Sequence, residues 1–174
     1  WSRIIGSEQT NSQETQNRSP VDVIYDIEID SNENIFVVGT TQGNLNGNSR
    51  HPISDFWNSL YGDVAYENFV IKLNVDGDTE WTKSYSYLDV HGNGSHIAPW
   101  YQKSKKSIAI DSLGFLYLSE NIFSNSGDTF SISKLTNDGN EIWKKEITPD
   151  SRNFPRNYVH SIALDANDNL YITG

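Results

Sequence analysis

Three stretches of the chain repeat one pattern of apolar and polar positions. They are Ile27-Glu-Ile-Asp-Ser-Asn-Glu-Asn-Ile-Phe-Val-Val-Gly39, Ile108-Ala-Ile-Asp-Ser-Leu-Gly-Phe-Leu-Tyr-Leu-Ser-Glu120 and Ile162-Ala-Leu-Asp-Ala-Asn-Asp-Asn-Leu-Tyr-Ile-Thr-Gly174. Each begins as an alternating strand, places Asp at the same point (Asp30, Asp111, Asp165) and crosses a short turn. Each then resumes with an aromatic at the second position of the next strand (Phe36, Tyr117, Tyr171). Alternation on both sides of a turn predicts a β-hairpin. A second pattern occurs twice, as Phe69-Val-Ile-Lys-Leu-Asn-Val-Asp-Gly-Asp-Thr-Glu-Trp81 and Ile132-Ser-Lys-Leu-Thr-Asn-Asp-Gly-Asn-Glu-Ile-Trp143. Aligned on Lys72 and Lys134, the Leu, Asp-Gly and Trp positions coincide, and Gly77 and Gly139 supply the positive φ of a tight turn.

Strands are accordingly expected near 1–5, 24–30, 34–40, 68–74, 78–85, 106–111, 115–119, 129–135, 140–147, 160–165 and 169–173, and no segment carries a helical period. The order is Trp strand, first hairpin, variable loop, second hairpin, next Trp strand, which is a four-stranded unit. Units run approximately over 1–80, 81–142 and 143–174, the last incomplete. The fold class this predicts is all-β: consecutive four-stranded antiparallel blades of a β-propeller, just under three of them.

The hairpin Ile-Ala-Leu-Asp-Ala-Asn-Asp-Asn-Leu-Tyr-Ile-Thr-Gly, with Phe-Val-Ile-Lys-Leu-x-x-Asp-Gly-x-x-x-Trp elsewhere, resembles the bacterial SBBP β-propeller repeat. The motifs cover about half the chain. The middle unit departs from the pattern, with Leu113 in place of Asn and Ser119-Glu120 in place of Thr-Gly. The resemblance implies an exported propeller. The Gly-x-x-x-Trp turns are also similar to the tryptophan-docking motifs of quinoprotein-like propellers. Closed propellers have at least four blades, so the chain is expected to be a segment of a longer propeller or to close by oligomerising through its β-edges. It opens on Trp1 with no Met or signal peptide, which reads as a chain from which a preceding part has been removed.

Composition narrows the class of partner. A net charge of −10 opposes nucleic-acid binding, which needs a basic face, and Lys103-Ser104-Lys105-Lys106 is too short to reverse it. No apolar run is long enough to span a bilayer. There is no Cys, hence no disulfide framework, thiol nucleophile or Cys-ligated zinc, and an acidic chain without Cys or Met fits an exported bacterial protein, extracellular, at the cell surface or periplasmic. No nucleophile elbow, P-loop, zinc helix or dinucleotide fingerprint is present, so the expectation is a protein without catalytic activity of its own.

Several residue sets carry candidate chemistry. Trp1, Trp81 and Trp143 recur at one register, and this favours rings packed between blades over a ligand-stacking ladder. Asp30-x-Asn32-x-Asn34 and Asp165-x-Asn167-x-Asn169 have the alternating oxygens of a calcium loop, as does Asn74-x-Asp76-x-Asp78-x-Glu80. The first loop lacks the later acid and the glycine at its sixth position, where Ile35 stands, and Asp and Asn are also turn residues in their own right. Calcium is the cofactor these runs leave open. His91 and His96, with Asp89, offer two imidazoles and a carboxylate, but their Gly-rich setting reads as a loop tip.

Two long insertions, roughly 42–66 and 86–105, hold the aromatic residues that do not repeat, among them Trp57, Tyr61, Trp100 and Tyr101 beside His91 and His96. Such side chains suit a protein or carbohydrate surface, and loops on a rigid scaffold are where function resides. The reading is a binding scaffold. Two alternatives are a structural subunit assembling through open β-edges into a surface layer or filament, and a segment of a catalytic propeller, quinoprotein-like or carbohydrate-active.

Overall fold

The computed structural model describes residues 22–41, 45, 67–86, 107–122, 129–147 and 159–174. These residues form ten strands: β1 (Asp22–Ile29), β2 (Ile35–Thr41), β3 (Glu67–Leu73), β4 (Thr79–Ser86), β5 (Ile108–Ile110), β6 (Leu116–Ile122), β7 (Thr129–Leu135), β8 (Glu141–Ile147), β9 (Ser161–Leu164) and β10 (Leu170–Thr173). Each lies where the alternation predicts one, and the strand expected at 1–5 falls outside the described residues. Among the described residues there is no helix, and so none long and apolar enough to cross a membrane.

The strands pair antiparallel into two four-stranded sheets, β1-β2-β3-β4 and β5-β6-β7-β8, and a hairpin β9-β10. The two sheets share a register. β2 pairs β3 from Ile35↔Leu73 to Thr41↔Glu67, and β6 pairs β7 from Leu116↔Leu135 to Ile122↔Thr129. Both outer ladders shift at the same place, between Lys72 and Leu73 and between Lys134 and Leu135. The Trp strands β4 and β8 are the fourth strands of the sheets that precede them. The sheets therefore span Asp22–Ser86 and Ile108–Ile147, whereas the sequence units divide the chain at Trp81 and Trp143. Backbone pairing sets the sheet boundary, and a motif alignment carries no information about which neighbour a strand bonds.

Five tight turns close the hairpins in one way. In 30–34, 74–78, 111–115, 136–140 and 165–169 the first residue's N–H donates to the fifth residue's carbonyl, and the fourth residue's N–H donates to the first residue's carbonyl. The fourth residue takes positive φ in every case: Glu33 (64°), Gly77 (82°), Gly114 (84°), Gly139 (73°) and Asp168 (61°). This is a three-residue hairpin loop ending in a left-handed residue, and its twist matches that of the flanking strands.

Because the strands alternate in direction, all five turns lie on one rim. The strand ends joined to segments 42–66, 87–106, 123–128 and 148–158 lie on the opposite rim. Bonds between sheets hold turns against turns. Asn137 of one turn donates to Asp30 of another, and Ser112 donates through its N–H and its hydroxyl to Asp168.

The sheets stack through faces that are both apolar. In β2, Phe36 and Val38 meet Ile108, Leu116 and Leu135 of the second sheet, while Val37 faces the other way with Leu45, Phe69, Ile71 and Leu73. In β6, Leu116 faces the first sheet and Tyr117 faces the β9-β10 hairpin, where Ala109, Ile132, Val159 and Ile162 complete a third cluster. Burying each large side chain of this kind contributes ~1.5–3 kcal/mol. The first strands lie nearest one another, β1 against β5 and β5 against β9, and a polar chain links them. Asp26 Oδ2 accepts from the N–H of Ile108 and the hydroxyl of Ser107, and Ser107 Oγ accepts from the N–H of Ile162.

Gly39, in β2, has no room for a side chain. A Cβ there would stand 2.2 Å from the carbonyl oxygen of Val23 and 2.5 Å from the Phe69 ring. Since one neighbour is backbone in the β1-β2 ladder, it has little freedom to retreat. Gly39→Ala is expected to destabilise the protein by ~2 kcal/mol or more, read as a lowered urea midpoint at unchanged slope; an unaltered midpoint would contradict the close approach.

Candidate functional site

The turn carboxylates were calcium candidates, and the structure shows what holds them. Asp30 Oδ1 accepts from the N–H groups of Asn32 and Asn34, both at 2.9 Å, and Oδ2 accepts from the side-chain amides of Asn34 (2.9 Å) and Asn137 (3.0 Å). Asp165 repeats this with Asn167 and Asn169, and its Oδ2 also accepts from the Tyr171 hydroxyl at 3.1 Å. Asn34 and Asn169 present N–H groups, not carbonyl oxygens, to the carboxylates. A cation placed there would face donors rather than the six to eight oxygens calcium takes. Among the described residues no three His, Asp or Glu side chains converge on a metal-sized space.

These hydrogen bonds set the acidity of the turns. At Asp165 the bonds from Asn169, first from its side chain and then its backbone, and from the N–H of Asn167 lower the pKa to about 2. At Asp30 burial acts upward, but bonds from Asn34, Asn137 and Asn32 outweigh it and hold the carboxyl below its ordinary value.

Trp81 joins the two sheets. Its Nε1 donates to the carbonyl of Asn137 at 3.2 Å, and its ring lies 6.1 Å from that of Phe36. Gly139 lets the ring approach: a Cβ there would stand 3.0 Å from Trp81 Cη2 and 3.1 Å from Lys83 Cε. The same glycine thus serves the turn of its own hairpin and the docking of a neighbour's tryptophan. Asn137 completes the joint by donating to Asp30, and Lys83 Nζ reaches Asn140 Oδ1 at 3.1 Å. Trp81 is partly buried against the cluster that joins the first two sheets. Trp143, at the same register, is 39% exposed and leans edge-on against Tyr117 at 6.1 Å. Gly77 occupies the matching turn of the first sheet, and Trp1 lies outside the described residues.

Lys134, Asp111 and Tyr117 form a compact polar group that the sequence reading aligned but assigned no role. Lys134 Nζ donates to the Tyr117 hydroxyl at 2.6 Å and to Asp111 Oδ2 at 3.0 Å, while the Tyr117 hydroxyl lies 3.3 Å from Asp111 Oδ2. The ammonium also stands over the Phe115 and Tyr117 rings, at 4.4 and 4.7 Å. Burial acts to lower the lysine pKa, but the bonds to Tyr117 and Asp111 and the Asp111 charge raise it above its ordinary value. Asp111 is pushed up by burial and brought below its ordinary value by the N–H of Phe115 and by Lys134. A lysine held protonated in this way is a cross-link and not a nucleophile. In the first sheet Phe36 replaces the tyrosine, and the buried Lys72 instead pairs with Glu80 at 2.6 Å. The legible signal was a lysine at one register of β3 and β7, each opposite an aromatic residue.

A crevice between the first two sheets is lined by Val38, Val70, Asn68, Ser133, Glu120 and Lys144. Asn68 Nδ2 donates to Glu120 Oε1 at 2.9 Å, and Lys144 bridges to Glu120 Oε2 at 3.0 Å. Trp57, Tyr61, His91, His96, Trp100 and Tyr101 lie outside the described residues. The strand ends to which their segments attach lie on the rim opposite the tight turns.

Four-stranded antiparallel sheets stacked face to face, with their first strands innermost, are blades of a β-propeller. Residues 1–46 match the β-propeller repeat family SBBP. Motifs of the same class recur in the second sheet and the β9-β10 hairpin, which supports an SBBP-type repeat protein. No curated protein matches it.

Two outcomes are expected of the inter-blade groups. Trp81→Phe keeps the ring but loses the bond to Asn137, and should cost ~1 kcal/mol in chemical unfolding. The Asp111 and Asp165 carboxyls titrate below the unfolded value of about 4, so their stabilisation is complete above it and fades as pH falls through the lowered folded values. Urea unfolding from pH 7 to pH 2.5 should show stability falling with acid, with a smaller fall in Asp111→Asn; an equal fall would deny Asp111 a part in it.

Proposed function

We propose that this protein is a non-catalytic binding scaffold, exported to the cell surface or the extracellular space, whose long connections recognise a protein or a glycan. The observation that carries the reading is the separation of the two rims. Every tight turn lies on one, and the strand ends that bear segments 42–66 and 87–106 lie together on the other. Trp57 and Tyr61 thus belong to a segment that leaves and rejoins the first sheet, and Trp100 and Tyr101 to one that runs from the first sheet to the second, both attached on this rim. Aromatic side chains beside Asp and Asn suit the faces of sugar rings and the centres of protein interfaces. An acidic composition without Cys or Met supports export.

The same layout argues for a scaffold over an enzyme. Three lysines are each paired with a carboxylate of their own sheet, Lys134–Asp111, Lys72–Glu80 and Lys144–Glu120. A general acid or base works from a carboxyl or lysine shifted toward neutrality; Asp111, Asp165 and Lys134 are shifted away from it, while burial and the Asp26 charge raise the carboxyl of Glu28.

Glycan arrays and immobilised surface proteins, probed with the purified chain, should yield a ligand whose Kd rises about tenfold or more in Trp57→Ala and in Trp100→Ala, as expected for an aromatic hot spot. Far-ultraviolet circular dichroism should stay unchanged in both. A ligand bound equally well by both variants would remove the inserted segments from the site.

A further inference from the structure

Glu120 gathers two groups supplied by different sheets. Asn68 of β3, in the first sheet, donates through Nδ2 to Glu120 Oε1 at 2.9 Å, and Lys144 of β8, in the second sheet, donates through Nζ to Oε2 at 3.0 Å. One carboxylate thus holds a primary amine and a primary amide side by side across the junction. Much of the surrounding crevice is apolar, with Val38, Phe69, Val70, Leu118 and Leu135 in its walls. The Lys144 side chain is 26% exposed and that of Glu120 17%, so most of each is covered. Across the β6-β7 ladder from Glu120, Ser131 is fully buried, and its hydroxyl has no hydrogen-bond partner among the described residues. Residues paired across a ladder share a face of the sheet, so a spare donor stands beside the carboxylate on the face that Asn68 meets. Lys83 also reaches an asparagine, Asn140, but that pair is exposed.

We propose that Lys144 and Asn68 are the two ends of an intramolecular isopeptide cross-link that the protein forms on itself, with Glu120 as the proton carrier. The Lys144 ammonium gives a proton to Glu120, and the lone pair of the neutral amine attacks Asn68 Cγ. The Nζ–Cγ bond forms, and the Cγ–Nδ2 bond breaks with its electron pair leaving on Nδ2. Two protons pass in turn from Nζ through Glu120 to Nδ2, which departs as ammonium. Glu120 ends as the carboxylate it began, and nothing is oxidised or reduced. An amine and an amide are inert toward each other in water, but well-oriented intramolecular partners react at effective concentrations of about 10⁵ M and above. Apolar walls favour the uncharged amine and carboxylic acid over the ion pair, and a carboxyl bonded to both nitrogens can serve both proton transfers. The product ties β3 of the first sheet to β8 of the second in a chain that has no Cys for a disulfide. Closing so long a loop restrains the unfolded chain. The cross-link lies within the stacked sheets and is independent of the loop-borne binding proposed above.

Intact-mass spectrometry of the purified chain tests this, because the cross-linked protein is lighter than its sequence by one molecule of ammonia. Peptide mapping should recover a branched peptide that joins the strand of Asn68 to the strand of Lys144. Glu120→Gln should leave the chain at its full sequence mass, since loss of the proton carrier slows such a step about a hundredfold or more. Lys144→Arg keeps a positive charge beside Glu120 without an amine nucleophile, and should also stay at full mass with unchanged far-ultraviolet circular dichroism. A wild-type chain still at full sequence mass after prolonged incubation would overturn the proposal. So would an ammonia loss that persists in Lys144→Arg, or one that maps to other residues such as Asn46-Gly47 or Asn93-Gly94.

Discussion

The sheets of this protein are apolar on both faces, and that constraint governs the rest of the fold. A sheet with one buried face can rest on a core and turn its other side to water. The β2 strand cannot, because Phe36 and Val38 need cover on one side while Val37 needs it on the other. β6 repeats the condition with Leu116 and Tyr117. A sheet of this kind is stable only between neighbours, so blades stack, and stability accrues at their junctions.

The polar groups of the described residues are placed to make that stacking specific. Apolar faces alone permit sliding, since dispersion and burial have little directionality. Asp26 receives Ile108, Ser107 receives Ile162, Asn137 bridges to Asp30 and Trp81 bonds the Asn137 carbonyl, and each of these bonds fails if one blade shifts by a residue against the next. The Asp of every first hairpin works twice. One oxygen closes its own turn, and the other receives a partner from beyond it: Asn137 at Asp30, Lys134 at Asp111, Tyr171 at Asp165. Oxygens in this arrangement resemble a cation site in sequence because turns and calcium loops draw on the same short polar residues, and hydrogen-bond direction separates the two.

The proposed function rests on the division between rims. Uniform tight turns, each closed by a left-handed residue, leave little surface that differs from blade to blade. The connections on the other rim vary in length and composition, and the rigidity of the stacked sheets is what would let aromatic residues there act as a surface. Trp81, one of the tryptophans that repeat, joins two sheets, and those that do not repeat are the ones read as functional.

By itself the sequence determined the strands, the hairpins and the blade repeat, because alternation and turn chemistry are local and each repeat states them again. Glycine at Gly77 and Gly139 was enough to place two left-handed turn residues; Glu33 and Asp168 take the same conformation without a glycine to announce it. Tertiary structure decided what crosses between repeats. That β4 ends its own sheet, that Gly139 exists partly for Trp81, and that Lys134 cross-links Asp111 and Tyr117 all depend on which faces meet. A one-dimensional pattern carries the period of a strand and the identity of a turn. It does not carry the partner of a side chain 56 positions away, such as Asn137 beneath Trp81, because that contact is set by the stacking of sheets and not by the chain between them.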